Sequence, residues 1–137
     1  MSNKEFTYIQ IKMSWADAVN YCAKLEGRLA HIDDTVENEF AKSLTDELDH
    51  VWLGGSDISK TWEWLNPKEH MSFRDFATGE PSRDASVNCL VYWKSAEGYK
   101  WGDNPCDKSY SFICKRNRPC QEKKCRYFKL TLEERMY

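Results

Sequence analysis

The 137-residue sequence has no apolar run that approaches the length of a membrane span, so an uninterrupted transmembrane helix is excluded. No Asn-x-Ser/Thr acceptor occurs, and N-glycosylation is excluded with it. The N-terminus MSNKEFTY is polar and lacks the apolar core of a signal peptide, so the chain reads as a mature or recombinant form with an added Met. Its three histidines, His31, His50 and His70, share no ligand spacing. They are expected at the surface or as satisfied core residues. No nucleophile elbow, phosphate loop, metal-ligand motif or paired-carboxylate spacing is present, so neither an enzyme nor a nucleic-acid binder is expected.

What is present fits one domain followed by a tail. Hydrophobic residues make up 41% of the chain, enough for a single core and too few residues for two. The net charge of -2 conceals an asymmetry, because residues 1–114 hold 12 Lys/Arg against 19 Asp/Glu and residues 115–137 hold 8 against 3. An acidic body of -7 thus precedes a basic stretch of +5. Six cysteines form an even set, which favours disulfides and an oxidising compartment.

Phe6 to Lys12 alternates apolar and polar residues and predicts a first strand, placed at a sheet edge. Ser14 and Asp17 cap a helix from Trp15 to about Glu26. Trp15, Ala18, Val19, Cys22 and Leu25 recur on one face, and Gly27 supplies the stop. Arg28 to Ile32 is a short strand in which Leu29 and Ala30 cannot share a face. Asp34 heads a second helix to about Leu44 or Asp46, whose apolar stripe is Val36, Phe40, Leu44 and Leu48.

Val51 to Gly55 is an apolar strand. Trp62-Glu63-Trp64 puts two indoles on one sheet face, read as core rather than as a ligand platform. Asn66 to Asn88 has little periodicity and is the natural place for a site. Cys89 to Trp93 and Tyr99 to Trp101 flank Ser95-Ala96-Glu97-Gly98 as a hairpin. Tyr110 to Cys114 is the last strand, with Tyr110, Phe112 and Cys114 on one face.

Four features then occur in fixed order: Glu80-Pro81, a cysteine opening an apolar run at Cys89, Trp101-Gly102-Asp103 ahead of Cys106, and an Ile113-Cys114-Lys115 ending. With WLGGSD, WEW and the two helix caps in register, residues 5–116 resemble the short form of the C-type-lectin-like domain. The resemblance implies an α+β fold, two helices flanking small antiparallel sheets with a long ligand-binding loop. It also implies disulfides Cys22 to Cys114 and Cys89 to Cys106. Residues 1–116 are then the domain and residues 117–137 a basic tail with Cys120 and Cys125, either a small local disulfide or an interchain bridge.

In calcium-dependent members the loop holds Ca²⁺ through five side-chain positions. Glu80 and Asp103 match two of them; Ser82 stands where Asn or Asp is expected, Val87 replaces an acid, and Gly102 replaces an Asn. Ca²⁺ takes six to eight oxygens, so the implied cofactor meets a reduced ligand set, which Asp84, Asn88 or Asn104 can extend. At a second implied calcium site Asp57 survives beside the short turn Ile58-Ser59-Lys60-Thr61. The expectation is a secreted recognition module that binds glycan through Glu80, Ser82, Asp84, Asn88, Asp103 and Asn104 with weak or absent calcium dependence. The alternatives are a calcium-independent domain whose partner is an extracellular protein, and a matrix component acting through the acidic body and basic tail.

Overall fold

A computed structural model describes residues 2–65, 67–82, 86, 88–119 and 128–133. The chain forms β1 (Ser2–Met13), α1 (Trp15–Lys24), β2 (Arg28–Leu29), α2 (Thr35–Ser43), β3 (Val51–Ser56), β4 (Glu63–Trp64), β5 (Glu69–His70), β6 (Asn88–Ser95), β7 (Gly98–Pro105), β8 (Tyr110–Pro119) and β9 (Phe128–Glu133). The strands run β5-β4-β3-β8-β1-β9, with β2 on β8 and the β6–β7 hairpin branching from β3. Among the described residues no helix is long and apolar enough to cross a membrane.

The first strand is not an edge. It pairs antiparallel with β8 along nearly its whole length and parallel with β9, in the stretch that the sequence treats as a tail. The edge position goes to β9 because the chain returns after β8 to pair with the open side of β1.

Two hydrophobic clusters lie on opposite sides of the sheet, and alternation along β8 divides them. Ile113 enters one, while Phe112 and Cys114 enter the other. Leu29 and Ala30 split in the same way, so both are buried without sharing a face. The bridge Cys22–Cys114 ties α1 to β8, and Cys89–Cys106 ties the base of the hairpin. Trp64 is fully buried and Trp62 packs against the same cluster, which is the core reading.

Both helices begin at their expected caps, where Ser14 and Asp34 accept the N–H groups of Asp17 and Glu37. The first ends earlier than expected, at Lys24. Its left-handed residue is Glu26, at φ 61°, not Gly27. Gly27 answers a different demand, since a Cβ there would stand 2.7 Å from the Lys115 carbonyl oxygen.

The second helix buries only part of the expected stripe: Leu44 enters the core and Phe40 packs against it. Val36 is 63% exposed and Leu48 56%, while Glu37, Asn38, Ala41 and Lys42 face inward. Burial of these polar groups is tolerated because each meets a partner. Lys115 Nζ donates to Glu37 Oε1 at 3.0 Å and to the His31 carbonyl at 3.0 Å. Asn38 Oδ1 accepts from the Tyr92 hydroxyl at 2.6 Å and Trp101 Nε1 at 3.3 Å, and Asn38 Nδ2 donates to Asp75 at 2.8 Å.

Candidate functional site

The site is built on β6 and β7, whose register sets Leu90 opposite Asp103, Val91 opposite Gly102 and Cys89 opposite Asn104. Ser95 pairs with Gly98, leaving Ala96 and Glu97 as a two-residue turn, and Gly98 takes φ 106°. Against β7 lies the 71–82 segment. Trp101 N–H donates to the Asp75 carbonyl and Ala77 N–H to the Trp101 carbonyl, each at 2.9 Å. Met71 and Ala77 are buried, and Phe73 and Phe76 meet the Trp101 ring edge to face. The chain then turns through the cis Glu80-Pro81 bond toward β7.

Three of the expected site residues come together there. Ser82 donates its N–H to Asp103 Oδ1 and its hydroxyl to Asp103 Oδ2, both at 2.8 Å. Asp103 N–H in turn donates to Glu80 Oε1 at 3.3 Å. Burial, and next the hydrogen bond and negative charge of the Asp103 side chain, push the Glu80 carboxyl up to about 7 against the pull of that N–H. Glu80 therefore holds a proton into the neutral range.

Behind this pair is a cavity of about 200 Å³ lined by His50, Glu80, Val91, Trp93, Asp103 and Asn104. Asn104 reaches it, with Nδ2 donating to the Tyr110 hydroxyl at 3.1 Å. His50 stacks on Tyr110 at 4.9 Å, and burial holds its imidazole below the usual range, hence neutral. Asn88 sits elsewhere, buried against β3, its N–H bonded to Asp57 Oδ1 at 2.8 Å. Asp84, Val87, Cys120 and Cys125 lie outside the described residues.

Three cavity residues, His50, Val91 and Trp93, are absent from the set expected from sequence. The signal for Trp93 was available: it follows Val91 by two on β6, so it shares the face opposite Gly102. A Cβ at Gly102 would stand 2.4 Å from Trp93 Nε1 and 3.3 Å from Glu80 Oε1. The indole occupies the volume a side chain at 102 would need. No comparable signal marked His50, whose place depends on Tyr110, sixty residues away in sequence.

These residues do not fit a calcium ion. Ca²⁺ requires six to eight oxygens, largely anionic. Both Asp103 oxygens already accept from Ser82, one Glu80 oxygen faces an N–H, and Gly102 offers no side chain. Asp57 is likewise engaged by backbone. Among the described residues no three His, Cys, Asp or Glu side chains gather into a metal-holding group. A second recess, of about 140 Å³ and lined by Lys4, Arg28, His31, Asp33, Glu69 and Lys115 among others, is filled by paired charges such as Lys115 with Asp33 at 3.2 Å.

The family model for the lectin C-type domain matches residues 11–116. The chain is 30% identical to perlucin from Haliotis laevigata over 118 residues, 82% of this chain and 76% of perlucin. It is 32% identical to the C-type lectin mannose-binding isoform of Notechis scutatus scutatus over 110 residues, covering 74% of this chain and 69% of that one. The crystal structure of a calcium-independent type II antifreeze protein superposes with a TM-score of 0.72 at 25% identity, covering 83% of this chain and 86% of that one. By sequence match, by fold and by its two disulfides, the chain belongs to the C-type lectin-like domain family, whose members compared with it are recognition modules and not enzymes.

Proposed function

We propose that this chain is an extracellular recognition module that binds a neutral glycan, without calcium, on the face formed by Glu80, Ser82, Asp103 and Asn104. One observation carries the reading: Ser82 occupies both oxygens of Asp103, so the groups that would chelate a cation are engaged with protein hydrogen atoms. A ligand on this face is met by hydrogen bonds rather than by coordination to an ion. Exchanging sugar hydroxyls from water to protein gives about 0.5–1.5 kcal/mol per bond, so each site is weak and repeated contact is needed for useful affinity.

A mannose-binding relative supports a glycan as the target, and a calcium-independent relative supports the loss of the ion. Two disulfides support an oxidising, extracellular setting. Residues 1–116 carry recognition in this proposal. Residues 117–137 add basic charge, and 128–133 return to pair with β1.

A glycan array read in calcium and in EDTA tests the proposal. The same glycans should bind in both buffers, and thermal unfolding should not shift between them, because a ligand that binds only the folded state raises its apparent stability. Silence on the array from folded protein would move the reading to a protein ligand.

A further inference from the structure

Among the described residues the sheet has one long open edge. At the far end of the strand path β5 is two residues long, and β2 on β8 is equally short. The outer side of β7 is covered, because the 71–82 segment bonds to Trp101 there. β9 is different. It is six residues long, it pairs with β1 without a register shift, and no other described strand pairs with it. An edge strand offers a row of backbone N–H and C=O groups that can template a further strand, and natural edges are blunted by Pro, bulges or unmatched charges. The sequence FKLTLE of β9 has neither Pro nor Gly, and its one lysine, Lys129, is matched by Glu133.

We propose that β9 is a pairing edge for a second copy of this chain, the two β9 strands lying antiparallel about a two-fold axis at Thr131. The strand's own sequence selects that partner and that register. Pairing centred on Thr131 sets Lys129 of each copy opposite Glu133 of the other, and Leu130 of each opposite Leu132 of the other. A two-fold interface must be self-complementary, residue i meeting j and j meeting i, and this strand meets that condition in both its charges and its leucines. Opposite charges directly across a strand pair stabilise it, and like charges destabilise it. Moving the axis to Leu130 or Leu132 loses the match of Lys129 with Glu133, so charge fixes the register. Leu130 and Leu132 stand in register with Phe6 and Tyr8 of β1, both buried, and the two-fold register continues that row into the second copy.

The strand order β9-β1-β8-β3-β6-β7 puts the Glu80–Asp103 face at the opposite end of the sheet from β9. A dimer joined at β9 therefore keeps both candidate faces open and carries them at its outer ends. Weak sites linked in this way act together on a repeated ligand. The pairing itself does not depend on the glycan reading.

The test is sedimentation equilibrium of the intact chain from about 10 µM to about 1 mM, because six residues make a small interface and a reversible dimer. The parent should show a monomer–dimer equilibrium and run as a monomer on a non-reducing SDS gel. Glu133→Lys and Lys129→Glu each set two pairs of like charges opposite one another, so each variant alone should dimerise at least about tenfold more weakly. Mixed in equal amounts the two variants are complementary and should recover the dimer, which a loss of stability in either could not mimic. Should either fail to fold, hydrogen exchange of the parent decides: amides within 128–133 should gain protection as concentration rises, and those of β7 should not. A parent monomeric up to about 1 mM would overturn the proposal. So would a dimer indifferent to Glu133→Lys, the result expected if two copies exchanged their β9 strands, or a dimer lost in Cys120→Ser/Cys125→Ser. No sugar enters these measurements, so the glycan reading stands or falls on its array alone.

Discussion

Gly102→Ala should destabilise the chain through a single contact. Backbone strain plays no part, since Gly102 does not have a positive φ. A Cβ there would stand 2.4 Å from Trp93 Nε1 and 2.7 Å from Trp93 Cδ1, well inside van der Waals contact. The atoms in the way belong to a rigid ring beside Glu80, so the indole must tilt or the hairpin must spread. Overpacking of this kind costs about 1–3 kcal/mol. With roughly 3–5 °C per kcal/mol for a chain of this size, a loss of about 2 kcal/mol lowers the melting temperature by roughly 6–10 °C. The assay is a double-mutant cycle by thermal or urea unfolding. In a Trp93→Ala background the added methyl meets no ring, so it should cost almost nothing, giving a coupling energy of about 1–2 kcal/mol. Additivity within about 0.5 kcal/mol would refute the claim that Trp93 fills the place of a side chain at 102. Gly102→Asn should show the same loss and no gain of stability on adding calcium; a calcium-dependent rise in that single variant would refute the closed-site reasoning as well.

Glu80→Gln should change the pH dependence of stability. Because the folded Glu80 keeps its proton up to about 7 and the unfolded one only to its ordinary 4.5, the folded state binds more protons between these values and its stability falls as pH rises through them. The Gln variant should therefore gain stability relative to the parent from about pH 4.5 to 7 and not beyond. His31 and His50, both lowered chiefly by burial, lose stability as pH falls below 6.5, but they are common to both proteins and cancel in the difference. A pH-independent difference would contradict the pairing of Glu80 with Asp103. Removing Cys22–Cys114, which closes 92 residues, should cost about 4.6 kcal/mol on the loop-entropy model, against about 3.1 kcal/mol for the 17-residue Cys89–Cys106 loop; denaturant unfolding of the two paired Cys→Ala variants gives the order. Lys115→Met should cost about 3 kcal/mol or more by leaving Glu37, 1% exposed, short of a partner, and adding Glu37→Leu should recover most of it. Equal stability of the single and double variants would show that the buried pair is not coupled.

The strands and caps were legible because each rests on a local rule. Alternation placed Phe112 and Cys114 on one side of β8, and Ser14 and Asp34 announced the helix starts. The inner face of α2 was not legible, because burial of Glu37, Asn38 and Lys42 depends on partners 33 to 78 residues away, Asp75 and Lys115 among them. The position of β1 depended on β9, which pairs with it from the far end of the chain. At the candidate site, the Glu80-Pro81 and Trp101-Gly102-Asp103 signatures marked two segments that the fold brings side by side. The Ser82–Asp103 clamp was hidden, since a serine in place of a metal ligand reads as a loss until its hydroxyl is seen on the carboxylate.

That clamp belongs to a larger arrangement of hydrogen bonds that holds the loop. The 71–82 segment has almost no secondary structure of its own, and such a segment needs contacts to fix it. Here they come from polar residues that α2 buries. Asp75 accepts from Asn38 at 2.8 Å, Lys42 at 3.1 Å and Lys100 at 2.9 Å. Burial opposes the ionisation of Asp75, but the hydrogen bonds from Lys100, Asn38 and Lys42 outweigh it and hold the carboxyl below its ordinary range. Asn38 also binds Tyr92 on β6 and Trp101 on β7, so one amide ties the helix to both strands of the hairpin and to the loop. Farther along, Thr78 donates its N–H and hydroxyl to the two oxygens of Glu97 in the hairpin turn. Glu80 N–H donates to the Ala77 carbonyl, and Ser82 completes the path at Asp103. Each contact is replaceable alone, but together they fix Glu80 and Asp103 in one geometry by protein hydrogen bonds. The polar inner face of α2, an anomaly by hydrophobic patterning, is thus the support on which the loop carrying Glu80 rests.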